Sequence, residues 1–133
     1  MTGVDIIGEL LRTDDALIAL IAAEQIKAGA LPENVVLPAL LVRLVSSVER
    51  PALKRGGTVR TIDRVAVTVR AETYRDQGKA IRLARSCCAG RTGNVGGGKS
   101  VSILSAGTGP DARGPGNAFE QTQDFRVSFD APA

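Results

Sequence analysis

The sequence predicts an α+β domain: an antiparallel sheet of about four to five strands, two or three helices packed on one face, and a long projecting β-hairpin. Three observations lead there. Two long runs rich in Val, Ile and Thr, ALLVRLVSSV from Ala39 and TVRTIDRVAVTVRA from Thr58 to Ala71, flank the basic, glycine-containing RPALKRGG, the pattern of two strands joined as a hairpin. Apolar residues recur at helical spacing before the first run and after the second. Near the C-terminus, Phe125, Val127 and Phe129 alternate with Arg126, Ser128 and Asp130, as in a strand with one buried face.

Each element follows in order. From Val4 to Leu11, Ile6, Ile7, Leu10 and Leu11 share a helix face, and Asp5 and Glu9 take another. Thr13 or Asp14 offers a new N-cap, and Leu17, Ile18, Leu20 and Ile21 continue the stripe to about Ala23, giving one kinked helix or two short ones. Gln25 to Ala30 reads as a short edge strand, and Pro32 and Pro38 bound a loop.

In the hairpin, Thr58 to Ala71 would span roughly 46 Å at about 3.3 Å per residue, more than one small core can cover. Its half near Ala71 places Val65, Val67 and Val69 on one face and Arg64, Ala66, Thr68 and Arg70 on the other. The far half carries Arg50, Lys54, Arg55, Arg60 and Arg64 against the single acid Asp63, and reads as charged rather than packed. It is either a polar tip that discourages edge association or an arm reaching for a partner. Thr73 then caps a helix from Tyr74 to about Ala89, with Ala80, Ile81, Ala84, Cys87 and Cys88 inward and Arg75, Lys79, Arg82 and Arg85 outward. Val101 to Leu104 reads as a short strand between glycine-rich loops, and Phe119 to Asp130 as a long one.

At 133 residues and 44% apolar content, the chain fits a single domain, 1–133, whose core is aliphatic because aromatics make up only 3%. The net charge of +3 permits acidic partners without amounting to a nucleic-acid footprint. The longest apolar run, Ala16 to Ala23, is too short to cross a bilayer and follows two acids, so a soluble protein made in a reducing cytoplasm is expected. Adjacent Cys87 and Cys88 lie about 3.8 Å apart in Cα, below the usual disulfide range, and read as small core residues.

Catalytic, metal and cofactor sites are not expected. There is no histidine, two neighbouring cysteines cannot build a zinc site alone, and Asp14 and Asp15 point about 100° apart on a helix. Gly93 to Ser100, GNVGGGKS, formally matches the phosphate-cradling G-x-x-x-x-G-K-[ST]. That loop needs a strand entering and a helix leaving, whereas here a helix enters and the β-prone Val101–Leu104 leaves, so a flexible glycine-rich connector is the better reading. No aromatic residue lies between Ala39 and Thr73 to stack on bases, and no helix has helix-turn-helix character; a small basic nucleic-acid or partner-binding module stands as the alternative.

Several phrases together resemble a known family. DDALIALIAAEQI, the proline-bounded LPENVVLPALLVRLVSS, TIDRVAVTVRAETY running into DQGKAIRLARSCCAG, and the closing FEQTQDFRVSFD are similar to the tail-completion proteins (head-tail joining, or tail-terminator) of long-tailed phages and phage-like gene transfer particles. The resemblance spans nearly the whole chain and implies a virion subunit, assembled in the host cytoplasm, that joins a ring, commonly of six copies, at the head-proximal end of the tail tube. Its implied partners are copies of itself, the tube protein and the head-tail connector, or stopper. DNA would pass through the lumen without sequence-specific binding, and no membrane is involved. In that setting Arg50, Lys54, Arg55 and Arg60 are expected to contact a neighbouring subunit or line the lumen. Gly107, Asp111, Arg113 and Asn117 are expected to meet the connector or the tube.

Overall fold

The computed structural model describes every residue except Met1, Ala52, Lys54 and Arg55. Its elements, in chain order, are α1 (Gly3–Arg12), α2 (Asp15–Ile18), β1 (Ile26–Ala28), β2 (Ala39–Arg50), β3 (Thr58–Ala71), α3 (Tyr74–Cys88), β4 (Thr92–Gly93), β5 (Lys99–Thr108), β6 (Ala112–Arg113) and β7 (Phe119–Pro132). Single 3-10 turns occupy Ala23–Gln25 and Pro115–Asn117. The helix starts are written in local sequence. The Thr2 hydroxyl accepts from the Asp5 amide while the Asp5 carboxylate accepts from the Thr2 amide at 2.9 Å, closing a capping box. Asp14 caps α2 by accepting from the Leu17 amide, and Thr73 caps α3 by accepting from the Asp76 amide.

The strands form one seven-stranded sheet in the order β1-β2-β3-β7-β5-β4, with β6 also on β7; every pair is antiparallel except β1 with β2. The α+β class and the one-sided helices are as expected, and the sheet is wider by the two-residue strands β4 and β6. The hairpin boundaries match the two apolar runs. What differs is its isolation: β7 pairs with β3 over its whole length, from Thr58↔Pro132 to Ala71↔Phe119. The hairpin therefore projects as the margin of a broad sheet. β1 covers only Leu40 to Val42, so β2 from Arg43 to Arg50 has no strand neighbour on its outer edge among the described residues.

Strict alternation decides which side is covered. Val65, Val67 and Val69 of β3, Phe125, Val127 and Phe129 of β7, and Leu40 and Val42 of β2 are all buried on the helix side. They meet Ile6, Ile7 and Leu11 of α1, Leu17 of α2, and Ala80 and Ala84 of α3. Cys87 and Cys88 complete this core; the Cys87 thiol donates to the Leu10 carbonyl at 3.3 Å. Contact with Cys87 and burial both push the Cys88 thiol up, which keeps it protonated and inert.

The far half of the hairpin is exposed along β2 from Arg43 to Arg50, as its charge suggests, but β3 is packed on the helix side at Thr61 and Asp63. Thr61 and Asp63 are 6% and 2% exposed. Asp63 accepts a hydrogen bond from the Gly3 amide at 2.8 Å and another from the Ser47 hydroxyl, so the first turn of α1 sits directly on the carboxylate. A helix N-terminus favours a negative charge, and this geometry makes the acid a tie between α1, β2 and β3. A Cβ on Gly3 would fall 2.7 Å from the Asp63 Cβ, so only glycine admits the approach.

The glycine-rich segment is a turn between β4 and β5, packed on α1. A Cβ on Gly96 (φ 60°) would lie 2.7 Å from the Ile6 carbonyl oxygen, and one on Gly98 would lie 2.7 Å from Ile6 Cδ1. The Asn94 side chain accepts from the Ser100 amide at 3.0 Å and closes the turn. GNVGGGKS is thus a strand-turn-strand whose glycines answer to close packing, with β5 leaving where a phosphate loop would need a helix.

Three substitutions check this account by urea denaturation. Gly96→Ala is expected to lose at least about 1–2 kcal/mol from left-handed backbone strain, lowering the midpoint without changing the slope. Asp63→Ala, which orphans the Gly3 amide and the Ser47 hydroxyl, is expected to cost about 1–3 kcal/mol. Lys99→Ala, on the exposed end of β5, should stay within about 0.5 kcal/mol of the parent.

Candidate functional site

The even-numbered residues of β3 face away from the helices, and no described element covers that side of the sheet. Register carries matching residues of β2, β7 and β5 onto it. Arg50, Arg60, Asp130 and Lys99 form one row, Val48, Ile62, Ser128 and Ser102 the next, and Ser46, Arg64, Arg126 and Leu104 a third. The bulge between Leu44 and Ser46 in β2 turns Val45 onto this side as well, beside Arg43 and Ala66.

Charge on this face divides into two sets. Arg60 pairs with Asp130 at 3.1 Å, Arg64 with Asp124 at 2.8 Å, and Arg70 with Glu120 at 2.9 Å. These bonds join β3 to β7; partly exposed pairs of this kind add about 0.2–1 kcal/mol each. Arg60 also donates to the Ser100 carbonyl, and Arg64 to that of Ala106. Arg43, Arg50 and Arg126 enter no ion pair among the described residues. Arg126 stands directly opposite Arg64, which turns instead to Asp124. Among these cations Val45, Val48 and Leu104 are each about half exposed, at 51%, 56% and 57%. The small side chains of Ser46, Ala66 and Ala106 leave two adjoining hollows of about 300 and 440 Å³.

Of the four expected arm residues, Lys54 and Arg55 lie outside the described residues. Arg50 is exposed at the end of β2, and Arg60 is held by Asp130. Of the other expected group, Gly107 lies in β5 and lines the hollow beside Arg43, Val45 and Ala66, whereas Asp111, Arg113 and Asn117 lie in the segment between β5 and β7. There Asp111 accepts from the Tyr74 hydroxyl at 2.8 Å and from the Gln77 amide at 2.9 Å. Arg113 lies 4.1 Å over the Phe119 ring and donates to the Asn117 carbonyl at 2.8 Å. Tyr74 meets Phe119 edge to face, with centroids 5.9 Å apart. Gln121 donates to the Gly109 carbonyl, so the loop is clamped to α3 and β7 at several points. The clamp raises the Tyr74 pKa above its usual 10.0, chiefly through the hydrogen bond to Asp111 and secondarily through that carboxylate's charge.

Sequence reasoning counted Arg64 in the charged arm, and placed Arg70 and Arg126 on outward faces but assigned them no part. Their division into neutralised and unpaired groups depends on the β3–β7 register, for which nothing local in the sequence provides a signal. Arg43 had a signal, a lone charge inside an apolar strand. Among the described residues no three His, Cys, Asp or Glu side chains converge as metal ligands, and no helix is long and apolar enough to cross a membrane.

No known protein-family profile and no curated protein matches the chain. Among solved structures, its fold is similar to that of a chain in the virion of a native gene transfer agent particle, with a TM-score of 0.72 and 14% sequence identity. The superposition covers 97% of this chain and 95% of that one, so the two share one architecture nearly from end to end.

Proposed function

We propose that the chain is a structural virion protein that forms a ring at the head-proximal end of a tail tube, stops tube polymerisation and joins the tail to the head connector. The observation that carries this reading is the end-to-end likeness of its fold to a chain of a gene transfer agent virion. The resemblance of several sequence phrases to those of tail-completion proteins supports the specific role. The partners under this reading are further copies of the chain, six in a ring, together with the tube protein and the connector, with DNA passing through the lumen.

A ring is a closed heterologous assembly: one patch of each subunit meets a different patch on the next. The parts suit that geometry. Arg50 and Arg60 stand at one end of the sheet, and with Lys54 and Arg55 of the intervening sequence they are proposed as the arm toward a neighbour or the lumen. The clamped loop with Asp111, Arg113 and Asn117, preceded by Gly107 near the end of β5, is proposed as a preformed platform for connector or tube. A platform fixed before binding saves the ordering entropy that a mobile loop would lose on docking.

Two measurements test the parts. Electron microscopy of the concentrated chain is expected to show closed rings. Replacing residues 50–57 by a two-residue turn should leave the circular dichroism spectrum unchanged and abolish them; intact rings would remove the arm from the mechanism. The platform is tested by absorbance titration of Tyr74, the only tyrosine. Its midpoint is expected above 10.0 and is expected to fall back in Asp111→Asn. Because the folded-state pKa is raised, the clamp contributes fully below about pH 10 and is lost as pH climbs through the raised value. An unshifted parent midpoint would contradict it.

A further inference from the structure

We infer that the helix-free face of one copy seats the acidic helical corner of the next, so that charge and apolar matching between these two surfaces drives ring closure. This deepens the ring reading and rests on it. The receiving face has three features together: unpaired Arg43, Arg50 and Arg126, half-exposed Val45, Val48 and Leu104, and hollows floored by small residues. Exposed apolar side chains ringed by arginine are the composition of a protein contact.

The matching surface lies in the N-terminal segment. Residues 1–38 hold six acids (Asp5, Glu9, Asp14, Asp15, Glu24, Glu33) against Arg12 and Lys27, a net −4, whereas 39–133 hold eight acids and fifteen bases, a net +7; the two sum to the chain's +3. Arg12 is turned inward onto the Ile26 carbonyl, which leaves this corner still more negative outward. Backbone hydrogen bonds continue the α2 turn to Ile21, and one side of it buries Leu17 and Ile21. The other side exposes Asp15, Ile18 and Ala19, one turn apart, with Ala22 and Glu24 exposed just beyond. Ile18 is a protruding apolar side chain beside acids, and the receiving face offers hollows beside bases.

Topology keeps the two surfaces apart within one molecule. The helices lie on one side of a single sheet and the receiving face on the other, so a copy that offers its corner to one neighbour still presents its face to another. Such a contact is heterologous and propagates until it closes. Double-stranded DNA fits the face less well. Half of its six arginines are already neutralised by Glu120, Asp124 and Asp130, and phosphates give no reason for the exposed Val45, Val48 and Leu104.

A charge swap tests the inference in the full chain, with circular dichroism confirming that each variant folds. R43E/R126E and D15K/E24K are each expected to raise the concentration needed for ring assembly at least about tenfold, because like charges then face each other. An equimolar mixture of the two is expected to restore rings with alternating copies, and so is the quadruple variant. Double variants that assemble like the parent would overturn the inference, as would a mixture that fails to recover. Rings that persist in R43E/R126E while salt-sensitive DNA retention by the parent is lost would assign the face to DNA and overturn it too. Open filaments obeying the same swap rule would keep this contact and overturn the closed ring. A parent chain that never associates overturns both.

Discussion

The structure depends on one constraint: β3 lies between β2 and β7 from Arg60 to Arg70, and its side chains alternate without a break. The period of a strand is two, so a slip of one residue would send Arg64 and Arg70 into the core and Val65, Val67 and Val69 into water. The ion pairs of Arg60, Arg64 and Arg70 with acids of β7 reinforce the same alignment from the opposite side. Because β7 comes last of the described strands, the central pairing joins residues 48 to 74 positions apart.

That single register sorts the molecule into two sides with different work. The helix side is aliphatic and closed, and even its buried acid, Asp63, is satisfied by a helix N-terminus and a hydroxyl. The other side is left to arginines and a few apolar side chains. This arrangement suits the proposed role of fitting against further copies of the chain. Its stability must come from one face so that the other remains available, and its contact residues must be held still by the strands that carry them.

Much of this was legible in the sequence wherever a period of two or 3.6 ran long enough. Helix α1, the two hairpin strands, α3 and β7 emerge with boundaries within a few residues, because the cap at Thr73, the helical spacing of Ile6, Ile7, Leu10 and Leu11, and long alternating runs mark them. β4 and β6 were not legible, since a two-residue strand has no period and exists only through its partner. β5 proved longer than Val101–Leu104 because Ser105 to Thr108 join the sheet by pairing with β7, despite a glycine and little hydrophobicity. Asp63 looked like part of a wet arm because its partner, the Gly3 amide, lies sixty residues away. For the candidate surfaces, alternation revealed which arginines face outward. Which of them are neutralised required the register, and the clamp on Asp111 required the path of the loop past Tyr74.

The glycine-rich segment shows the same distinction between pattern and place. Its letters satisfy a phosphate-loop pattern, yet Gly96 and Gly98 are small because Ile6 presses on them. The central claim, that the chain works as an assembly part and not through chemistry on a small molecule, is tested most directly by electron microscopy of particles made in cells lacking it. The account predicts tails of uncontrolled length that are not attached to filled heads; normal-length tails joined to filled heads would contradict it.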